Sequence, residues 1–378
     1  MDSPREIKVV PVQDESTLWE FLRLPWRLYQ HDPCWVPPLL SHQRRLLNPR
    51  RGPFFETGEA RYFLALHQGR PAGRISAHLN RLHDERYGPE TGFFGFFECA
   101  PDQRVAAALL EAAAAWLRGR GKKRLLGPLS FSIYDEVGLL VEGFDSLPAI
   151  LHSHNPPYYQ GLLEAWGFKK AVDWYAYRMT ERNIDIPAME KRLEDILRRQ
   201  GLVLTSLKYR EMDRRAQEIY QLFNEAWSPN WGHLPLTRRQ FLDLFQNLKP
   251  LFRPHLVYLL LDNDRLAGFM INVPDLNSLI RKLNGRLSLM GRLRLLYAAR
   301  FQPLRKVRML VLGMHPHYQG RRWHYAMLLK TYLYLVKHTP CQVCDISLIA
   351  ENNLPVLKNL EAFKAQRYKT FRLLEREI

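Results

Sequence analysis

The chain has 378 residues, of which 46% are hydrophobic and 25% are charged. This balance is typical of a soluble globular protein, and the length is enough for two domains that each bury a core. Lys and Arg outnumber Asp and Glu by 55 to 38, which gives a formal net charge of +17. Such a charge favours anionic partners: nucleic acid, a phospholipid surface or a polyphosphate-bearing molecule.

The sequence argues against a secreted, a membrane-spanning, a disulfide-stabilised and a metal-binding protein. The N-terminal stretch lacks the apolar core of a signal peptide, and no segment reaches the roughly 18 uncharged apolar residues of a membrane span, so we expect a cytoplasmic protein. Four cysteines are too few for a disulfide scaffold. Cys341 and Cys344 have CxxC spacing, but no second ligand pair lies at a recognisable distance, so no metal site is expected.

The first half of the chain alternates strand and helix patterns. In chain order we predict a strand at 7–12, a helix at 18–30, an extended proline-rich loop at 32–38, a hairpin over 62–77, a strand at 93–98, an Ala-rich helix at 105–117 and a strand at 125–126. Gly127-Pro128 ends that last strand.

The second half repeats this plan. Residues 62–73 are similar to residues 257–268, and residues 163–168 are similar to residues 360–365, at offsets of 195 and 197. Asn155 and Asn352 share the second offset. Two matches in the same order and nearly the same register predict an internal duplication.

A strand, a basic turn and a helix follow one another near residue 315. The apolar run from Met309 to Met314 predicts a buried strand, Pro316 ends it, and the turn at 318–322 reads Tyr-Gln-Gly-Arg-Arg. Backbone N–H groups at a helix start, with guanidinium groups beside them, can bind a phosphate. This arrangement resembles the acyl-CoA pyrophosphate loop of the Gcn5-related N-acetyltransferase (GNAT) superfamily.

The resemblance extends over most of both halves. A helix that opens near an Asn and ends near Gly-Phe, followed by closing strands, is similar in both halves to the end of a GNAT domain, at 155–179 and at 352–374. The chain is therefore interpreted as a tandem GNAT-like protein of α/β class with a mixed α+β sheet. The predicted domains are 1–181, on the acceptor side, and 182–378, on the acyl-CoA side.

The resemblance implies acyl-CoA as a substrate bound by the second half. The implied binding residues are Met314, Gln319, Gly320, Arg321, Arg322 and Asn352. GNAT loops usually carry two small residues where Arg322 and His324 stand here, so a relative that does not bind CoA is an alternative.

The acceptor side combines carboxylates with His and Tyr. Glu98 ends a Phe-rich strand, where GNAT bases often lie, and an acidic insertion at 130–145 precedes His154 and Tyr158. Such a set can hold a cationic amine and move its proton. The catalytic candidates are Glu98, Glu136, His154 and Tyr158; the alternative is a solvated loop with helix-capping polar residues.

An insertion at 276–306 is rich in Leu and Arg. The chain has no acidic residue between Leu276 and Cys344, where thirteen Lys and Arg residues occur. A basic amphipathic insertion can lie on an anionic bilayer, which would make the protein peripheral at the inner membrane face, or can cover a long acyl chain. The alternative is a pair of core-packed helices with solvated arginines.

Together these features resemble bacterial GNAT-type ceramide synthases and their uncharacterised relatives. The segments that carry this resemblance are 94–98, 127–128, 138–145, 155–159 and 275–277. It implies transfer of a long acyl chain from acyl-CoA to a lipid amine such as a sphingoid base. Three alternatives stay open: a Fem-like transferase that uses charged tRNA, a small-group N-acetyltransferase, and a non-catalytic membrane- or CoA-binding relative. We see no aromatic and basic motif typical of RNA recognition.

Overall fold

A computed structural model of the chain describes residues 7–180, 185–198, 203–319 and 323–378. The chain divides into two compact units, of which unit 1 comprises Met1–Tyr175, Asn277–Ser288 and Tyr368–Ile378, and unit 2 comprises Ala176–Leu276 and Leu289–Arg367. Two segments from the second half of the sequence therefore belong to unit 1, whereas the predicted domains 1–181 and 182–378 are continuous.

Strands and helices occur throughout both units. In chain order the strands are β1 Ile7–Pro11, β2 Gly58–His67, β3 Arg70–Asn80, β4 Thr91–Cys99, β5 Arg124–Gly127, β6 Leu139–Glu142, β7 Lys169–Met179, β8 Val203–Ser206, β9 Val257–Asp262, β10 Arg265–Pro274, β11 Lys306–Met314, β12 Val343–Ala350 and β13 Gln366–Glu377. The helices are α1 Glu15–Leu28, α2 Leu40–Leu46, α3 Arg81–Tyr87, α4 Gln103–Arg118, α5 Tyr159–Ala165, α6 Ile186–Arg198, α7 Met212–Trp227, α8 Arg238–Leu248, α9 Asn277–Leu283, α10 Leu289–Phe301, α11 Trp323–His338 and α12 Leu354–Ala362.

Unit 1 has a mixed sheet with strand order β1-β2-β3-β4-β5-β13, and β6 also pairs with β13. β4 and β5 are parallel, and their pairing covers Thr91–Phe93 and Arg124–Leu126. Beyond these residues β4 continues to Cys99, whereas β5 ends at Gly127. The two central strands therefore part at their carboxyl ends, and a site can form beside the end of β4.

Helix α4 covers one face of this sheet. Its apolar residues recur at helical spacing, and its buried side chains are Val105, Ala106, Leu109, Leu110, Ala113, Ala114 and Leu117. Asp102 caps its first turn by accepting a hydrogen bond from the backbone N–H of Arg104. Gly73 of β3 lets the helix approach closely, because a Cβ there would lie 2.6 Å from Leu109 Cδ1.

Unit 2 contains strands in the order β12-β11-β10-β9-β8. β11 and β12 are parallel, and among the described residues their pairing ends at Met309 and Ile346, although the strands continue to Met314 and Ala350. Helix α11 packs its buried residues, among them Trp323 and Met327, into the core of this unit. The separation of two parallel central strands thus occurs in both units.

Candidate active site

A cavity of about 180 Å³ lies in unit 1 beside the end of β4. The loop that follows β5, the segment before α5 and the start of α9 also line it. Its polar and ionisable lining side chains are Gln43, Arg74, Glu98, Ser130, Glu136, His152, Ser153, His154, Asn155, Tyr159 and Asn277. Three of the four predicted catalytic residues, Glu98, Glu136 and His154, therefore meet at one cavity.

Glu98 is held in place by hydroxyl donors. The hydroxyls of Tyr29 and Tyr159 donate hydrogen bonds to its Oε2 at 2.7 and 2.8 Å. The guanidinium of Arg74, directly opposite on β3, lies 3.5 Å from its Oε1. Burial raises the pKa of Glu98, and the Arg74 charge and the two hydroxyls oppose that rise. Glu98 is thus an oriented carboxylate whose Oε2 is already occupied by two donors.

Glu136 lacks such partners. No hydrogen bond to its carboxylate occurs within the part of the chain that the structure describes, while its backbone carbonyl accepts from the N–H of Ser130. Burial, followed by the charge of Glu98, raises its pKa to about 7, and Arg74 opposes the rise. A carboxylate with free lone pairs and a pKa near neutrality can accept and release a proton at physiological pH.

His154 forms a pair with Asp32, 2.8 Å from the ring Nε2 to Oδ2. Since a carboxylate accepts hydrogen bonds, we assign the ring proton to Nε2, which leaves Nδ1 as an acceptor. Nδ1 is buried and has no partner among the described residues. Burial lowers the pKa of His154 despite the hydrogen bond to Asp32. His154 is therefore a neutral imidazole at neutral pH with an unsatisfied acceptor at Nδ1.

The fourth predicted residue, Tyr158, faces a different partner. Its hydroxyl donates to the backbone carbonyl of Cys99 at 2.7 Å, and the next residue, Tyr159, lines the cavity instead. Tyr159 also accepts a hydrogen bond from the backbone N–H of Cys99 at 2.9 Å. Successive residues at a helix start point in different directions. The tyrosine that contacts Glu98 is therefore Tyr159, one residue after the predicted Tyr158.

Four contributors to the site were not singled out from the sequence: Tyr29, Asp32, Arg74 and Tyr159. Arg74 is 6% exposed, and within β3 it stands in a run of small and apolar residues, after Gly73 and before Ile75. A buried Arg in such a strand indicates a charged partner. An arginine in this run is therefore the one feature of the sequence that points to an ion pair with Glu98. Tyr29 and Asp32 lie more than sixty residues before Glu98, and only folding brings them close.

Asn155, which the sequence places at a helix start, binds the backbone of β6 instead. Its Oδ1 accepts from the N–H of Leu140 at 2.7 Å, and its Nδ2 donates to the Leu140 carbonyl at 3.1 Å. The side chain therefore pairs with β6 as a neighbouring strand would. It fixes β6 and the end of the acidic insertion beside the cavity.

The residues predicted to bind acyl-CoA are only partly covered by the structure. Met314 is buried at the end of β11, and Gln319 donates to its carbonyl at 3.2 Å. Asn352 is exposed in the turn after β12. Gly320, Arg321 and Arg322 lie outside the described residues.

Two curated proteins match nearly the whole chain. The "Bacterial ceramide synthase" of Caulobacter vibrioides is 32% identical over 378 residues, which cover 99% of this chain and 98% of that protein. "Protein YghO" of Escherichia coli is 30% identical over 369 residues, which cover 97% of this chain and 94% of that protein. No protein-family model matches the chain.

Solved structures show the same fold. A tandem GNAT protein from the clavulanic acid biosynthesis pathway superposes with a TM-score of 0.57 at 14% identity and covers 98% of both chains. A GCN5-related N-acetyltransferase from Sphaerobacter thermophilus gives a TM-score of 0.52 at 13% identity, covering 99% of this chain and 96% of that one. The predicted α/β tandem GNAT fold is confirmed. The chain belongs to the family of the bacterial ceramide synthase, a group of N-acyltransferases built on two GNAT-like halves.

Proposed function

We propose that this N-acyltransferase transfers a long acyl chain from acyl-CoA to a lipid amine, and that the cavity in unit 1 receives the amine. The observation that carries the proposal is the carboxylate of Glu136. It lines the cavity, has no hydrogen-bond partner among the described residues and has a pKa of about 7. An amine presented as an ammonium ion would supply the missing donor and the compensating charge.

The acidic lining fits a cation rather than an anion. Glu98 and Glu136 face one small cavity, and each raises the cost of ionising the other. A bound ammonium ion removes that cost, because it lies between two negative charges in a site of low dielectric.

The proposed chemistry uses Glu136 as the general base. The Glu136 carboxylate takes a proton from the bound ammonium, and the freed nitrogen attacks the thioester carbonyl carbon. The C–N bond forms, the C–S bond breaks, and the CoA thiolate leaves. The attacking nitrogen still carries one proton more than an amide holds, and solvent passes that proton to the thiolate. Glu98 stays oriented by its tyrosines and stabilises the cationic amine. A positioned base of this kind contributes roughly 10²–10⁴-fold to the rate.

The finer assignment of substrates follows the relative's name. A ceramide is an N-acylated sphingoid base, so we propose a sphingoid-type amine as acceptor and a long-chain acyl-CoA as donor. We propose that the donor binds at the turn that contains Gln319, Gly320, Arg321 and Arg322, together with Met314, which ends β11, and Asn352, which follows β12. Both substrates are lipids, so we also propose that the protein acts at the cytoplasmic face of an anionic membrane.

The test is a thiol-release assay with a long-chain acyl-CoA and a sphingoid base. We expect Glu136→Gln to lower kcat by 10²-fold or more while calorimetry shows unchanged acyl-CoA binding. We expect Arg321→Glu to weaken acyl-CoA binding and to leave kcat at saturating acyl-CoA nearly unchanged. Glu164→Gln is the matched control, because Glu164 lies exposed on α5, outside the cavity lining, and its carboxylate accepts a hydrogen bond from Gln160 one helical turn earlier.

Full turnover by Glu136→Gln would disprove the role of Glu136 as the general base in the cavity. Equal rates for acetyl-CoA and the long-chain thioester would replace the long-chain assignment by a small-group acetyltransferase. Absence of any CoA thioester binding by the unmodified protein would contradict the donor assignment.

A further inference from the structure

Helix α10 of unit 2 exposes an unusual amount of apolar surface. Of twelve strongly exposed large hydrophobic side chains among the described residues, six lie on this 13-residue helix. They are between 49% and 75% exposed and comprise Leu289, Met290, Leu293, Leu296, Tyr297 and Phe301. Single exposed apolar residues are ordinary, whereas a contiguous group marks an interaction surface.

These six side chains form one face. At about 100° per residue they fall within an arc of roughly 140°. The opposite side of the helix holds the buried residues Gly291, Ala298 and Ala299. Arg292 and Arg294, both exposed, flank the apolar arc on its two sides. An exposed apolar strip bordered by arginines can enter the interface of an anionic bilayer while the opposite face of the helix stays packed on unit 2.

The helix is firmly attached to unit 2. The guanidinium of Arg253 donates to the backbone carbonyls of Ala298, at 3.0 Å, and of Ala299, near the helix C-terminus. A cation there is favoured by the helix dipole. The guanidinium of Arg300 stacks over the ring of Tyr209 at 4.1 Å from its centre. The apolar face is therefore presented in a fixed orientation.

We propose that the outer face of α10 docks unit 2 on an anionic phospholipid bilayer. The apolar side chains would enter the interface, and the arginines would contact lipid phosphates. Charge complementarity favours this partner, because the chain has no acidic residue from Leu276 to Cys344. A second copy of the chain fits less well, since a two-fold contact through this face would bring its arginines together. The inference deepens the proposed function by naming the surface that meets the membrane, and it rests on that function for its purpose.

The test is co-sedimentation of the full-length protein with vesicles. We expect binding to phosphatidylcholine vesicles that contain about 30% phosphatidylglycerol, and weaker binding to pure phosphatidylcholine. The double variant Leu293→Glu/Phe301→Glu should lower the partition coefficient at least tenfold. The variant Arg292→Gln/Arg294→Gln should lower it about fivefold per arginine and reduce its dependence on salt.

Val203→Glu/Leu242→Glu is the matched control, because it places the same two charges at a 60% exposed valine and a 40% exposed leucine elsewhere in unit 2. Thermal unfolding of all variants checks that the fold is kept. Vesicle binding by Leu293→Glu/Phe301→Glu equal to that of the unmodified protein would overturn the proposal. The proposal would also be overturned if the unmodified protein did not bind vesicles but self-associated, and if Leu293→Glu/Phe301→Glu abolished that self-association. Because no substrate enters this assay, its failure is separate from a failure of the acyl-transfer assay.

Discussion

At the scale of the residue, the ionisation of Glu136 is coupled to folding. In the unfolded chain its carboxyl has an ordinary pKa near 4.5, and burial in the folded protein raises the pKa to about 7. The folded state therefore binds more protons than the unfolded state between these two values. Folding stability then falls as the pH rises from about 4.5 to 7, because ionising a buried carboxylate costs free energy.

Glu136→Gln should remove this cost. We expect the variant and the unmodified protein to have similar unfolding free energies below pH 4.5. Above pH 7 the variant should be the more stable, by up to about 3 kcal/mol. Chemical denaturation across this pH range measures the difference. A difference that did not change with pH would show that the carboxyl of Glu136 titrates normally in the folded protein.

At the scale of an element, β4 depends on Gly95. The loop that follows β5 passes against this residue, and its Leu129 donates a backbone hydrogen bond to the carbonyl of Phe94 at 2.8 Å. A Cβ on Gly95 would lie 1.8 Å from the Leu129 carbonyl oxygen. The contact is to backbone, so no side-chain movement can relieve it. The same loop continues to Glu136, so this close approach positions the proposed base.

Gly95→Ala should therefore displace the loop. We expect a loss of stability of roughly 2 kcal/mol or more and a drop in acyl-transfer rate, because Glu136 moves with the loop. The control is Gly161→Ala on α5, where no atom lies within 4 Å of the added Cβ; it should be neutral or slightly stabilising. Thermal unfolding and thiol release measure both effects. Unchanged activity in Gly95→Ala would mean that the loop is not needed to place the base.

At the scale of the whole molecule, the last strand completes a unit that begins at the other end of the chain. Residues 374–377 of β13 pair antiparallel with β5, and the Phe371, Leu373 and Leu374 side chains are at most 1% exposed. The guanidinium of Arg372 donates to both carboxylate oxygens of Asp173, at 2.8 and 3.0 Å. The C-terminal segment is thus part of the core of unit 1.

A chain that ends at Arg367 should fail to fold unit 1. Each of the three buried side chains contributes roughly 1.5–3 kcal/mol, and their sum is comparable with the whole stability of a typical domain. We expect a lower Tm or insoluble protein, and partial recovery when a peptide of residues 366–378 is added. A chain that ends at Glu377 is the control. Unchanged thermal unfolding of the longer truncation would contradict this account of the C-terminal strand.

The sequence by itself determined the elements and the family. Local hydrophobic period, glycines and prolines place β2, β3, β4 and α4 within a few residues, because these signals act over short distances along the chain. The internal repeat predicts two similar halves. The two carboxylates of the cavity and one of its two histidines, His154, are also predicted, since Glu98 ends a strand and Glu136 lies in an acidic insertion that no ordinary turn requires.

Only the tertiary structure decided which side chains meet. Tyr29, Asp32 and Arg74 reach Glu98 or His154 from distant positions, and the pairing of β13 with β5 joins residues 374–377 to residues 124–127. Such contacts depend on sheet order and register, which a single sequence does not encode locally. The exposure of the apolar face of α10 is also known only from the tertiary structure, because the leucines of this helix would suit a buried helix equally well. Burial is a property of the packed unit rather than of the helix.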